Sequence, residues 1–170
     1  MSKSNSGKRY HGLPQKPIVL VGLMGAGKTS IGRKLAEQMQ IAFVDADHEI
    51  EKAAGCTITE FFEKFGEKEF RRGEKRVIER LLKSWPCILA TGGGAFMDPE
   101  TRAIIKNTAV SIWLNADLDT LDDRLARRSG RPLLQTKNPR ATLQSLMEKR
   151  YPIYAEADMT VDTVNGSIDV

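Results

Sequence analysis

Short unbroken apolar runs alternate with longer stretches in which apolar positions recur every three or four residues. The short runs are Pro17–Val21, Ala42–Asp45, Cys87–Thr91, Ala109–Leu114 and Met159–Asp162. Runs of that length and character predict strands. Between them, Thr29–Gln40 sets Ile31, Leu35 and Met39 on one helical face. Asp98-Pro99 places an N-cap before a proline at the first helical position, and Asn138-Pro139 repeats the device. Thr57-x-x-Glu60 has the form of a capping box ahead of Phe61-Phe62, with Gly66 as the expected C-cap. From Glu67 to Ser84, the residues Phe70, Val77, Ile78, Leu81 and Leu82 make a further apolar stripe, which Pro86 ends. Five strands separated by helices predict an α/β domain of three layers around a parallel sheet. Ligands of such sheets gather beyond the carboxyl ends of the strands. Three segments therefore carry the chemistry: residues 22–29, Asp45-Ala-Asp47 and Thr91-Gly92-Gly93-Gly94.

The first of these, Gly22-Leu-Met-Gly-Ala-Gly-Lys28-Thr29, fits G-x-x-x-x-G-K-[ST] and follows the run Ile18–Val21 directly. Glycines at 22, 25 and 27 let the backbone turn tightly and aim successive N–H groups at one point. The loop then opens a helix, whose N-terminus favours an anion at the same place. Lys28 supplies a point charge for the β- and γ-phosphates, and the Thr29 hydroxyl suits a bridging Mg²⁺. The pattern predicts a nucleotide-phosphate cradle.

Other candidates follow from that prediction. Asp45 and Asp47 lie two apart at a strand end, the place for one carboxylate that holds Mg²⁺ through water and one that orients or deprotonates an attacking hydroxyl. A solvated pair, or an N-cap for the next helix, is the alternative. In Phe70-Arg71-Arg72-Gly73-Glu74 only one arginine can face a cleft, since neighbours on a helix diverge. Arg71 is a candidate to grip a carboxylate with its fork, with Glu74 holding it in place; an exposed Arg/Glu pair is the alternative. Three consecutive glycines, 92–94, suit a backbone brought close to a ligand, or simply a tight turn. Residues 127–138, rich in Arg, Gly, Pro and Asn, suit a mobile lid. In it, Arg131 is placed to neutralise transition-state charge and Arg128 to stack on adenine. Arg150, before Tyr151-Pro152, reads equally as a second carboxylate clamp or a helix C-terminal charge. His11 and His48 enter no constellation.

Composition narrows the rest. A chain of 170 residues, 41% hydrophobic and 28% charged, suits one soluble domain and excludes wholesale disorder. We divide it into a polar leader over residues 1–16 and a single domain over 17–170 built on the phosphate loop, with a small substrate lobe near 48–75. The leader has no apolar core, so it reads as neither signal nor anchor. The chain stops at Val170 soon after the last strand run, an end that omits the helix expected to close such a sheet. No apolar run is long enough for a bilayer. Cys56 and Cys87 lack metal spacing and read as free thiols of a reducing cytoplasm. The net charge of +4 is scattered, without an aromatic-interleaved basic patch. A small anionic substrate is expected, rather than nucleic acid.

Taken together, Gly22–Ser30, Asp45-Ala-Asp47, Phe70-Arg-Arg-x-x-Glu74, Thr91-Gly-Gly-Gly94, Arg131-Pro-Leu-Leu134 and Arg150-x-Pro-x-Tyr154 resemble the shikimate kinases, a family of small P-loop enzymes. The resemblance runs from about Val19 to Asp162. It implies ATP-dependent phosphorylation of the 3-hydroxyl of shikimate, on the route to aromatic amino acids, by a cytoplasmic monomer. It implies nucleotide contacts from Gly22, Met24, Gly25, Ala26, Gly27, Lys28, Thr29 and Ser30, with Arg128 against the adenine. Asp47, Arg71, Arg150 and the loop Gly92, Gly93, Gly94 would hold the substrate, and Asp47 would act as base or orienter. Thr29 and Asp45 would hold Mg²⁺, while Lys28 and Arg131 would stabilise the phosphoryl group in flight. The lid is shortened between Arg128 and Arg131. A gluconate kinase is the nearest alternative, though an open-chain acid has no evident need for both the Phe-Arg-Arg-x-x-Glu motif and the triple glycine. A nucleotide-binding regulatory module fits less well, since no Asn-Lys-x-Asp guanine-reading motif is present.

Overall fold

The computed structural model describes residues 14–84, 86–127 and 136–164. Five parallel strands form the sheet: β1 Ile18–Val21, β2 Ala42–Asp45, β3 Cys87–Ala90, β4 Val110–Asn115 and β5 Met159–Asp162, in the order β2-β3-β1-β4-β5. β1 is central. Ile18, Val19 and Leu20 pair with Ile88, Leu89 and Ala90 on one side and with Val110, Ser111 and Ile112 on the other. Val19, Leu20 and Val21 are almost wholly buried, as an apolar run flanked by strands and covered by helices should be. β5 pairs with β4 alone, and Met159 and Val161 remain exposed at that edge. A run that reads like β1 in sequence thus behaves differently, because an edge strand has fewer neighbours to cover it.

Helix α1 (Lys28–Met39) follows β1 and packs on β1, β2 and β3. Helices α2 (Ala46–Ala54) and α3 (Ile58–Leu82) join β2 to β3, and α4 (Pro99–Thr108) joins β3 to β4. Helices α5 (Leu118–Ala126) and α6 (Pro139–Tyr154) lie between β4 and β5. The crossover through α1 runs toward one edge of the sheet and the later ones run back. Right-handed connections therefore place α1 on one face and α3 and α4 on the other. The expected caps form. Asp98 accepts from the Thr101 N–H at 2.8 Å, and Asn138 from the Ala141 N–H at 3.1 Å. Thr57 and Glu60 satisfy each other's backbone donors at 2.8 and 3.2 Å.

Gly66 takes φ 77 and ψ 175, non-helical values that end the first helical segment of α3 as expected; a second segment begins at once, so the two are joined across a kink and α3 runs on to Leu82. Ile58 and Phe62 of the first segment line the cleft at the carboxyl end of the sheet, while Lys75 of the second pairs with Glu100 of α4. Strand ends differ from the sequence reading by a residue: Pro17, Thr91 and Ala109 fall outside β1, β3 and β4, and Asn115 joins β4.

Candidate active site

The cleft is built where the strands end. After Val21 the chain turns through Gly22, Gly25 and Gly27 at φ +145, +82 and +99, values open to glycine and costly for other residues. Gly27 caps α1 without any side-chain partner, which leaves the first amides of the helix for an anion. Lys28 Nζ donates to the carbonyls of Gly22 at 2.7 Å and Leu23 at 2.8 Å, so the ammonium is held over the loop it belongs to.

Asp45 serves two roles at once. Its Oδ1 caps α2, accepting from the N–H of Asp47 at 3.0 Å and of His48 at 3.4 Å. Its Oδ2 accepts from Thr29 Oγ1 at 3.3 Å. A hydroxyl and a carboxylate oxygen side by side at a phosphate loop suit Mg²⁺, which takes hard oxygen ligands and keeps several waters. Among the described residues no cluster of three or more metal-ligating side chains exists, so such an ion would draw its remaining ligands from phosphate and water.

The other end of the cleft is cationic. On α3, Arg71 turns inward and donates Nη1 to Glu74 Oε2 at 2.6 Å, while Arg72 points to solvent. Glu74 is almost completely buried, at 2% exposure. Burial pushes its carboxyl above the ordinary value of 4.5, the Arg71 charge and hydrogen bond pull it back, and Asp47 nearby pushes it up again. The glycine loop closes over these groups. A Cβ on Gly92 would stand 2.7 Å from Asp47 Oδ1, and one on Gly94 would overlap the Arg71 guanidinium. A Cβ at either position would push the Asp47 carboxylate or the Arg71 guanidinium out of its present place in the cleft.

Tyr154, fully buried at the end of α6, donates its hydroxyl to the Gly93 carbonyl. Burial pushes its phenol up to about 12, against a pull from Arg150, which hydrogen-bonds the same side chain. It therefore stays protonated as a donor at neutral pH. Arg150 Nη1 lies 3.1 Å from where a Gly93 Cβ would be, so α6 supports the glycine loop and brings a second guanidinium to it.

These pieces share one cavity of about 650 Å³. Its lining runs from Lys28 and Thr29, past Asp45 and Asp47, to Arg71 and Arg150. Ile58, Phe62 and Phe70 of α3 form an apolar wall, and Phe62 and Phe70 stack at 4.5 Å between centroids. Met24, Gly25, Gly27, Ser30 and Gly92–Gly94 also face it, whereas Ala26 is buried beneath the loop. The expected lid residues Arg128 and Arg131 lie outside the described residues. Sequence reasoning missed four participants. Ile58 and Phe62 reach the cleft through the bend at Gly66, Tyr154 sat in a motif without a role, and Arg124 contacts the phosphate loop from α5. The Phe61-Phe62 pair was a signal of an apolar lobe. Arg124 left none.

Comparison with known proteins gives a consistent set of relatives. A family model described as shikimate kinase matches residues 24–169. The shikimate kinase of Brucella canis is 54% identical over 151 residues, which cover 89% of this chain and 76% of that protein. The shikimate kinase of Mesorhizobium japonicum is 52% identical over a stretch of the same length. Among solved structures, shikimate kinase from Acinetobacter baumannii in complex with shikimate superposes with a TM-score of 0.84 at 42% identity, covering 89% of this chain and 86% of that one. A gluconokinase from Sinorhizobium meliloti shares the fold, with a TM-score of 0.61 at 18% identity.

Proposed function

The chain belongs to the shikimate kinase family, and from that premise we propose how its cleft passes the terminal phosphoryl group of ATP to the 3-hydroxyl of shikimate. The observation that carries the proposal is the juxtaposition of an uncapped phosphate loop with a half-buried Arg71, held by the buried Glu74, across one cavity. A nucleotide's phosphates suit the first and a carboxylate the second. A compact ring fits between them, with its hydroxyls toward Asp47. An open-chain acid would leave the apolar wall of Ile58, Phe62 and Phe70 without a partner.

Each residue then has a task. Arg71 and Arg150 hold the carboxylate, and Glu74 keeps the Arg71 fork aimed. Gly92–Gly94 let the backbone close on the ring without displacing Asp47 or Arg71. Asp47 accepts a hydrogen bond from the attacking hydroxyl and, as the oxygen–phosphorus bond forms, receives its proton. The bond from phosphorus to the β-phosphate oxygen breaks, and ADP leaves. Lys28 trades its loop carbonyls for the phosphate oxygens, countering the charge that spreads over them. The amides of the loop from Gly22 to Ser30 do the same without reorganising. Thr29 and Asp45 would hold Mg²⁺, which neutralises the phosphates when bound. By sequence position, Arg131 would join the phosphoryl group and Arg128 the adenine. We assign the enzyme to aromatic amino-acid biosynthesis, as a cytoplasmic monomer. Neither nucleic acid nor membrane has a part in this chemistry.

In an assay coupling ADP release to NADH oxidation, Mg-ATP with shikimate is expected to give sustained turnover. Gluconate and AMP are expected to stay at background. Turnover with gluconate alone would overturn the assignment of the acceptor.

A further inference from the structure

Helix α6 grips the glycine loop through one buried hydroxyl. Tyr154 is fully buried, and its ring stands 6.1 Å from that of Trp113 between centroids. Trp113 in turn meets Tyr151 at 5.0 Å, and the Tyr151 hydroxyl donates to the Ala116 carbonyl in the turn ahead of α5. Packing thus fixes where the Tyr154 ring lies. Its hydroxyl donates to Gly93 O and accepts from the Arg150 guanidinium. Chemistry leaves no other direction, since a carbonyl cannot donate and a guanidinium cannot accept. Burial holds the phenol up at about 12, so the proton that reaches Gly93 O stays in place at neutral pH.

We propose that Tyr154 is a positioning residue for the acid: its hydroxyl holds the Arg150 guanidinium and, through the Gly93 carbonyl, aims the Gly94 N–H at the substrate carboxylate. The inference rests on reading Arg71 and Arg150 as the carboxylate clamp. In a trans peptide the C=O and N–H point opposite ways. With Gly93 O turned to Tyr154, the Gly94 N–H is turned away from it, and Gly94 lines the cleft. Among the described residues, the backbone bonds of this turn start from the amides of Ala95 and Met97, which reach Gly92 O at 3.2 Å and Gly94 O at 3.1 Å. They leave the Gly94 N–H to the cavity. Beside it, the Arg71 guanidinium passes where a Gly94 Cβ would be, and Arg150 Nη1 comes within 3.1 Å of the corresponding point at Gly93. Two guanidinium groups and one amide thus converge, a donor set that suits a planar carboxylate. The two arginines are held differently. Glu74 offsets the charge of Arg71, whereas Tyr154 is a neutral acceptor and leaves the charge of Arg150 for the ligand. A clamp set before binding spares the acid the entropy of ordering it.

The test is calorimetric titration of wild type and Tyr154→Phe with shikimate, the carboxamide of shikimate and ADP. Phenylalanine keeps the ring and its aromatic contacts and removes only the hydroxyl. Tyr154→Phe is expected to bind shikimate roughly ten- to a hundredfold more weakly, with the carboxamide changed far less and ADP unchanged. In turnover, KM for shikimate is expected to rise by the same factor while kcat stays within about threefold of wild type. The preference for acid over amide therefore shrinks, which a general loosening of the fold would not produce. Wild-type shikimate affinity in Tyr154→Phe would overturn the proposal, and so would an equal loss for acid and amide or a loss that extends to ADP. Should Tyr154→Phe fail to fold, the chain with difluorotyrosine in place of Tyr154 decides. Its phenol ionises at lower pH and then cannot donate to Gly93 O, so the preference for the acid is expected to fall as the phenolate absorbance rises. A preference that stays constant would overturn the proposal. If wild type itself binds no shikimate, the reading of the clamp fails, and that outcome is distinct from a normal wild type with an unaffected variant.

Discussion

Asp47→Asn is expected to lower kcat by roughly two to four orders of magnitude, the usual share of a positioned acid or base, while ADP binds as in wild type. Asparagine matches aspartate in size, which matters because Asp47 lies where a Gly92 Cβ would be, 2.7 Å from its Oδ1. Packing is therefore preserved, and the change removes charge and proton affinity only. The amide oxygen still accepts a hydrogen bond, so any residual rate measures orientation without proton transfer. ADP affinity is the control, since the phosphate loop makes its own contacts through Gly27, Lys28 and Thr29. Single-turnover kinetics separate chemistry from release. Unchanged turnover would remove Asp47 from the reaction.

Arg71→Ala is expected to weaken shikimate binding by roughly a hundredfold or more, with ADP affinity unchanged. Two losses combine. The carboxylate forfeits a charge-assisted partner, and Glu74, 2% exposed, is left as a buried charge without its 2.6 Å hydrogen bond. pH distinguishes them. In wild type, burial raises the Glu74 carboxyl above 4.5, opposed by Arg71. As pH falls from neutral, Glu74 takes up a proton earlier than an exposed glutamate would, Arg71 loses its anchor, and KM for shikimate rises. In Arg71→Ala the downward pull is gone, so Glu74 titrates at still higher pH. A folded carboxyl with a raised pKa binds more protons than the unfolded chain between 4.5 and its folded value. Stability is then present below that window and lost as pH rises through it. The variant's stability deficit should consequently shrink on acidification. Equal weakening of ADP and shikimate, with no pH dependence, would reduce Arg71 to a structural role.

Much of this molecule was legible from contiguous signals. The five strand runs were readable because apolar stretches bounded by turns have one economical use in an α/β chain. The phosphate loop was readable because glycines, lysine and threonine sit at fixed offsets. Helical geometry said that only one of Arg71 and Arg72 can face the cleft, and the bond to Glu74 shows that it is Arg71. Elsewhere the deciding contacts join distant residues. Asp45 looked like an N-cap or a metal ligand, and only its two oxygens in space show that one caps α2 while the other meets Thr29. The meaning of Gly92 and Gly94 depends on Asp47 and Arg71, which arrive from β2 and α3. Tyr154 meets Gly93 across 61 positions and Arg124 meets Gly25 across 99, separations no local pattern encodes. Gly66 was legible as the end of the first helical segment of α3, but nothing local said that the next segment would start without a loop. β5 resembled β1 because a sequence run does not state how many neighbours a strand has.

The account holds that nucleotide and acid occupy one cavity side by side, meeting at Asp47. Titrating shikimate calorimetrically into the protein, first free and then saturated with Mg-ADP, probes that arrangement in a single experiment. One shikimate per chain is expected to bind in both states, with ADP also bound at one per chain. Displacement of ADP by shikimate, or no affinity for ADP at all, would contradict it.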